Sequence, residues 1–230
     1  MEQGRAVSSG LADRLRERTR ALHREAERSG IVRDVLRGRA SRLGYALLLR
    51  NLLPAYQELE RGLERHRNQP GVRVVAQPAL YRSAALASDL DRLCGPAWNL
   101  SLPLLHAGTR YASRIATAAE TDGARLIAHA YARYLGDLNG GQIMMRLLVR
   151  SLGLGPESLA FYAFPGIDDL GRYAGAYRAA FDKAGPELSG VHEVVEEAAL
   201  AFELNIEVSC AVQAEAAVRQ APAAGEAIPA

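Results

Sequence analysis

Three glycines within six residues interrupt a stretch that otherwise reads as helix: Tyr131-Ala132-Arg133-Tyr134-Leu135-Gly136-Asp137-Leu138-Asn139-Gly140-Gly141-Gln142. Each interior glycine costs a helix about 1 kcal/mol relative to alanine, so the cluster needs a reason. A turn between two helices is the plain one. The chemical one is that Gly136 and Gly140, one helical turn apart, share a face and let a flat ligand come close to the backbone. Asp137 then stands beside that bare face, where a carboxylate can order water and deliver protons to whatever lies above the glycines.

A second candidate is His23, with Glu27 one turn further on. The carboxylate can accept a hydrogen bond from one imidazole nitrogen while the other binds a metal ion. A lone histidine on a helix edge is more often exposed or satisfied within the protein. Spacing alone leaves His66, His106, His129 and His192 open, and His129, two turns before Gly136, is the main competitor.

The elements that must position these residues read as helices throughout. Of the 230 residues, 49% are hydrophobic and only 6% aromatic, with alanine and leucine dominant, which favours helices over strands. Amphipathic periodicity predicts helices over about 11–29, 41–68 (with Pro54 kinking it), 79–93, 104–119, 123–152, 171–183 and 188–212, while 69–77 and 153–171 read as irregular. The expectation is one all-α domain of seven or eight helices over residues 11–212, with a ligand enclosed between interior helices. Residues 1–10 are expected to be flexible, and the alanine-rich tail 213–230 disordered.

A net charge of +2, from 28 basic and 26 acidic residues, leaves no footprint for nucleic acid. Arg14, Arg16, Arg18, Arg20, Arg24 and Arg28 crowd the first helix, either as a solvated face or as an attraction for an anion. Two cysteines, Cys94 and Cys210, show no metal-ligand or haem-attachment spacing. No signal peptide and no membrane-length apolar stretch is visible, so a soluble cytoplasmic protein is expected.

The segment Leu15-Arg16-Glu17-Arg18-Thr19-Arg20-Ala21-Leu22-His23-Arg24-Glu25-Ala26-Glu27 resembles the proximal helix of the haem oxygenase family. His129 through Gln142 resembles that family's distal helix, and this second match is the more specific. Further similarity lies in Ala163-Phe164-Pro165-Gly166, Tyr177-Arg178 and Ala201-Phe202-Glu203-Leu204-Asn205-Ile206, so the resemblance reaches to about Val212. It implies His23 as axial iron ligand with Glu27 orienting it, and Gly136, Gly140 and Asp137 as the distal group. It also implies that Arg16 and Arg178 pair with haem propionates near Tyr131, that Tyr56, Arg133 and Asn205 extend the distal network, and that Thr19 and Phe202 contact haem. Two positions depart from the pattern. Ala174 stands where a basic residue is frequent, removing one propionate contact, and Asn139 stands where serine is common.

The resemblance further implies that haem is cofactor and substrate, cleaved with O2 at a meso carbon, by default α, to biliverdin, carbon monoxide and iron. Arginine suits propionates because its planar charge can bind a carboxylate bidentately. With no flavin or nicotinamide signature, electrons are expected from a separate ferredoxin or flavoprotein reductase, docking on the basic amino-terminal face. The chain is similar to the bacterial type, without the membrane tail of animal members. A haem carrier or sensor is the alternative, and Asp137 with both glycines speaks against it, since storage needs no proton delivery. A metal-free helical enzyme like the thiamin-degrading relatives is weaker still, for want of a convincing nucleophilic cysteine.

Overall fold

The computed structural model describes residues 9–221, and these are mostly helical with no strand among them. Eight principal helices follow in order: α1 (Leu11–Ala26), α2 (Gly30–Leu36), α3 (Arg42–Arg65), α4 (Ser83–Cys94), α5 (His106–Ala118), the composite α6, α7 (Leu170–Ala184) and α8 (Val191–Gln220). Helix α6 consists of Leu126–Ala130, a π-helical turn Tyr131–Leu135 and Gly136–Leu152 in unbroken succession. Single-turn helices at Val72–Val75 and Trp98–Ser101, with short 3-10 turns, fill the connections.

Helices α3 and α8 form the centre. In α3, Ser41 caps the first turn by accepting from the Gly44 amide at 3.0 Å, and the helix runs on through Pro54. Nearly all of its apolar residues from Tyr45 to Leu63 are buried. Buried residues lie on every side of α8, as expected of a helix surrounded by others; it packs against α1, α2, α3 and α5. It also continues to Gln220, past the boundary at residue 212 expected from sequence. Val212 and Ala216 are buried there, and Gln213 bonds Asp34, so small residues that looked too weak for a core find neighbours in α2 and α3.

Several joints are made by side chains borrowed from another helix. The start of α1 has no cap of its own, and Asp182 of α7 accepts from the Ala12 amide at 2.9 Å. Helix α2, which periodicity did not reveal, begins at Gly30 with φ +55°. A methyl group there would stand 2.2 Å from the Ser209 backbone, so only glycine permits this approach of α2 to α8. Ser209 joins the two, accepting from the Val32 amide and donating to the Ser29 carbonyl, each at 3.1 Å. Buried Asn51 of α3 accepts from the Leu105 amide at 2.7 Å and donates to the Pro103 carbonyl, fixing the lead into α5. The segment 153–171 is irregular as expected, apart from 3-10 turns at Pro156–Ser158 and Ala160–Tyr162. Buried Asp89 of α4 holds the second turn through the Ala160 and Phe161 amides at 2.8 and 2.9 Å. No helix among the described residues is long and apolar enough to cross a membrane.

Candidate active site

A cavity of about 600 Å³ opens between α1, α2, α3, α6, α7 and α8. His23, Glu27, Tyr131, Arg133, Gly136, Asp137, Gly140, Arg178, Phe202 and Asn205 all line it. Tyr56, Arg16 and Thr19 stand outside its wall. The apolar part of the lining includes Val32, Leu36, Leu48, Leu52 and Phe161, which no sequence signal separates from ordinary core leucines and aromatics.

On α6, a methyl group built at Gly136 or Gly140 would meet nothing within 4 Å. The bare face predicted from the four-residue spacing therefore exists, and it looks into the cavity. Gly141 differs, for its missing side chain makes room for the Tyr162 ring, 3.1 Å from where a methyl would sit. The irregularity that the glycines suggested lies just before them, in the π turn Tyr131–Leu135. Such turns occur mostly as single insertions within α-helices, frequently at functional sites.

Asp137 is 5% exposed and belongs to a directional chain. Arg133 Nε donates to Tyr56 Oη at 3.0 Å, and Tyr56 Oη donates to Asp137 Oδ2 at 2.6 Å. The Arg133 guanidinium also donates to Asn205 Oδ1 and lies 3.6 Å from Asp137 Oδ1. Burial pushes the Asp137 carboxyl above its usual range, against the opposing pull of Arg133, the Tyr56 hydrogen bond and Arg82. Burial likewise holds the Tyr56 phenol well above its ordinary value, so it stays a donor. A carboxyl shifted upward and kept in one orientation is suited to passing a proton to a ligand beside the glycines.

On α1, the His23 side chain is more than half exposed and lines the cavity, with Phe202 at 5.9 Å between ring centres. Its Nδ1 lies 3.7 Å from Glu27 Oε1, the predicted partner, just beyond hydrogen-bond reach. His129, the competing ligand, points elsewhere. It is fully buried, with Nε2 3.0 Å from Glu197 Oε1, and Arg114 holds the same carboxylate from Nε at 2.8 Å. Burial lowers its pKa, so His129 is a neutral structural group. Glu197, central to this arrangement, was not foreseen; a glutamate within an apolar helix was the available signal.

At the rim, Arg178 of α7 donates to Asp13 Oδ1 at 2.9 Å. The Tyr131 phenol is raised by burial and pulled back by Thr19, Arg178 and Arg16 in turn. Arg16 itself lies in a shallow surface concavity with Asp13 and Arg20 rather than in the cavity wall. Thr19 is buried and donates to the Leu15 carbonyl at 2.8 Å. Ala174, beside Gly171 and Gly175, leaves that side of the cavity without a second cation.

Fold and site together define an all-helical protein with a cavity between a histidine-bearing helix and a glycine-faced helix carrying a buried acid. A family profile described as Heme oxygenase matches residues 9–211. Heme oxygenase 1 of Rattus norvegicus is 36% identical over 214 residues, covering 91% of this chain and 73% of the relative. Heme oxygenase 1 of the cyanobacterium Nostoc is 34% identical over 203 residues, covering 88% and 85%. The crystal structure of heme oxygenase-1 from Synechocystis in complex with heme superposes with a TM-score of 0.85 at 31% identity, covering 92% of this chain and 96% of that one. The structure of heme oxygenase from Leptospira interrogans gives 0.83 at 33%, covering 88% and 100%. The chain belongs to the haem oxygenase family.

Proposed function

We propose that the cavity takes haem as cofactor and substrate, with His23 as iron ligand, and that the protein opens the macrocycle at a meso carbon, α by the family's habit. The products are biliverdin, carbon monoxide and ferrous iron, formed with O2 and electrons from a separate donor. The observation that carries this reading is the pair of open positions at Gly136 and Gly140 with Asp137 buried beside them in a cavity shared with His23.

The residues fit the group. A macrocycle needs apolar walls, which Val32, Leu36, Leu52 and Phe202 supply, and space against the backbone, which the glycines supply. Its carboxylates need cations at the rim. Arg178 lines the cavity and Arg16 stands nearby, and a bound propionate would compete with Asp13 for Arg178. Haem supplies an iron that activates O2 when reduced. The protein's own part would be to hold the ring, leave room for it at the glycine face, and move protons. Asp137, oriented by Tyr56 and charged against Arg133, is the group placed to deliver them through ordered water.

Electrons are assigned to a ferredoxin or flavoprotein reductase. The outward side of α1 exposes Arg14, Arg16, Arg20 and Arg24, a surface that attracts an acidic donor. Free Cys94 and Cys210 suit a reducing cytoplasm.

An optical titration with haemin tests the reading. Binding should give a Soret band, and reductant under air should convert it to biliverdin and carbon monoxide, while His23→Ala should weaken iron ligation and turnover. A haem complex stable to several donors would make the protein a carrier, and absence of binding would remove both readings.

A further inference from the structure

Beside the cavity runs a connected series of tyrosine rings that extends beyond Tyr56 to residues with no part in the proposed reaction. Tyr56, whose hydroxyl donates to Asp137, lies 6.2 Å from Tyr134 between ring centres, and Tyr134 lies 6.4 Å from Tyr81. Both separations fall within the range of interacting aromatic pairs. Tyr56 and Tyr134 are fully buried, whereas Tyr81 is half-buried and stands before α4 at the protein surface.

The rings differ in what their hydroxyls can do with a proton. Oxidising a phenol by one electron makes its proton strongly acidic, and a buried cation radical is costly unless that proton can leave. Tyr134 Oη has no hydrogen-bond partner, so Tyr134 relays an electron without being a resting place. Tyr56 has a carboxylate acceptor in Asp137, yet its oxygen also accepts from Arg133, and a cation there opposes the loss of an electron. Tyr81 donates to Glu64 Oε1 at 2.7 Å with no cation on its own hydroxyl; Arg67 contacts the other glutamate oxygen at 3.1 Å. The further rings of the cluster end on neutral acceptors, Tyr177 on the Val75 carbonyl at 3.0 Å and Tyr173 on Gln77 Oε1 at 2.6 Å. Among the described tyrosines around Tyr134, Tyr81 thus combines a carboxylate base, the absence of a cation on its oxygen, and access to solvent.

We propose that Tyr56, Tyr134 and Tyr81 form an electron-donating path that carries a stray oxidising equivalent from the cavity to the surface, with Tyr81 and Glu64 as its terminus. The idea rests on haem occupying the cavity, and the oxidant is the one-electron oxidant produced when bound haem meets hydrogen peroxide. Tyr56 gives an electron to that oxidant and its proton to Asp137. Tyr81 then gives an electron through Tyr134 to the Tyr56 radical, which recovers its proton from Asp137, while the Tyr81 proton passes to Glu64. In sum the oxidant gains one electron, Tyr81 becomes a neutral radical and Glu64 is protonated. A small-molecule reductant of the ascorbate class restores Tyr81 from solvent. The function is protective, for an oxidant that fails to attack the ring is drained before it modifies the cavity wall.

The test treats haem-loaded protein, its loading verified by the Soret band, with hydrogen peroxide and no electron donor. Radicals are read by rapid-freeze electron paramagnetic resonance, and nitroso spin-trap adducts are located by mass spectrometry. Adducts should form on Tyr81 and be lost in Tyr81→Phe, whose signal should move to buried tyrosines while covalent damage around the cavity rises. Glu64→Gln keeps an acceptor on the hydroxyl but removes the base, and should lower Tyr81 labelling severalfold. Donor-driven biliverdin formation should stay unchanged in Tyr81→Phe. Three results would overturn the path: no Tyr81 adduct despite a Soret band, equal labelling without haem, or radical yield and damage unaltered in Tyr81→Phe. Lack of a Soret band would overturn the functional reading along with it.

Discussion

Asp137 and the glycines beside it make opposite demands on stability and function, and single substitutions can separate them. Replacing Gly140 by alanine adds a methyl that touches nothing in the protein, so the helix should gain about 1 kcal/mol and the thermal midpoint of the haem-free protein should rise. The same methyl projects into the cavity, so haem affinity or turnover should fall; an alanine variant with full activity would mean that this face is not where the ligand lies. For Asp137→Asn, loss of the proposed proton-transferring group should cut biliverdin formation by roughly 10²–10³-fold, with the Soret titration little changed. The bare glycine face and the acid beside it were legible in the sequence because glycines inside a helix are expensive and an acid between them is conspicuous. Tyr56 and Arg133 were reached only through family resemblance. Their geometry depends on two helices distant in sequence, since Tyr56 and Asp137 are 81 residues apart. Glu197 escaped notice for the same reason, as its partners Arg114 and His129 lie on α5 and α6.

At the scale of elements, the long helices were readable from periodicity, and their junctions were not. Helix α2 has seven residues, too few for a repeating stripe, and its existence depends on the φ of Gly30 and on Ser209 reaching across from α8. Gly30→Ala should therefore destabilise by at least about 2 kcal/mol, combining the left-handed backbone cost with a collision against α8. Because α8 also carries Phe202 and Asn205 into the cavity, the lower melting temperature should come with weaker haem binding, both measurable on one preparation. The carboxyl-terminal turns of α8 were misread because alanine offers little to a hydrophobic pattern. Alanine is nonetheless the strongest helix former, and Ala216 fits where α8 meets α3, 3.6 Å from a methyl placed at Gly44.

The whole molecule has a built-in sensitivity to acid. Burial alone would raise the Glu197 carboxyl, but hydrogen bonds from His129 and Arg114 overcome it and hold the group at about 2, below its ordinary 4.5. His129 is displaced downward from 6.5 by burial. In both cases the unfolded chain takes up protons that the folded one refuses, so stability falls as pH falls. The thermal midpoint should be level above about 6.5, decline gently as unfolded His129 becomes charged, and drop more steeply below 4.5 where unfolded Glu197 is neutralised. Glu197→Gln should lower the midpoint at neutral pH and flatten the acid limb; an unchanged limb would show that other carboxylates control it.

The π turn of α6 also sets a phase. Each residue of an α-helix advances by about 100°, and a π turn accommodates one residue more than the regular winding would. The first half of α6 is thereby free to aim His129 at Glu197 while the second half aims Gly136, Asp137 and Gly140 at the cavity. Deleting a single residue between 131 and 135 would give a more regular rod, rotated out of step with itself, in which one of those two faces must look the wrong way.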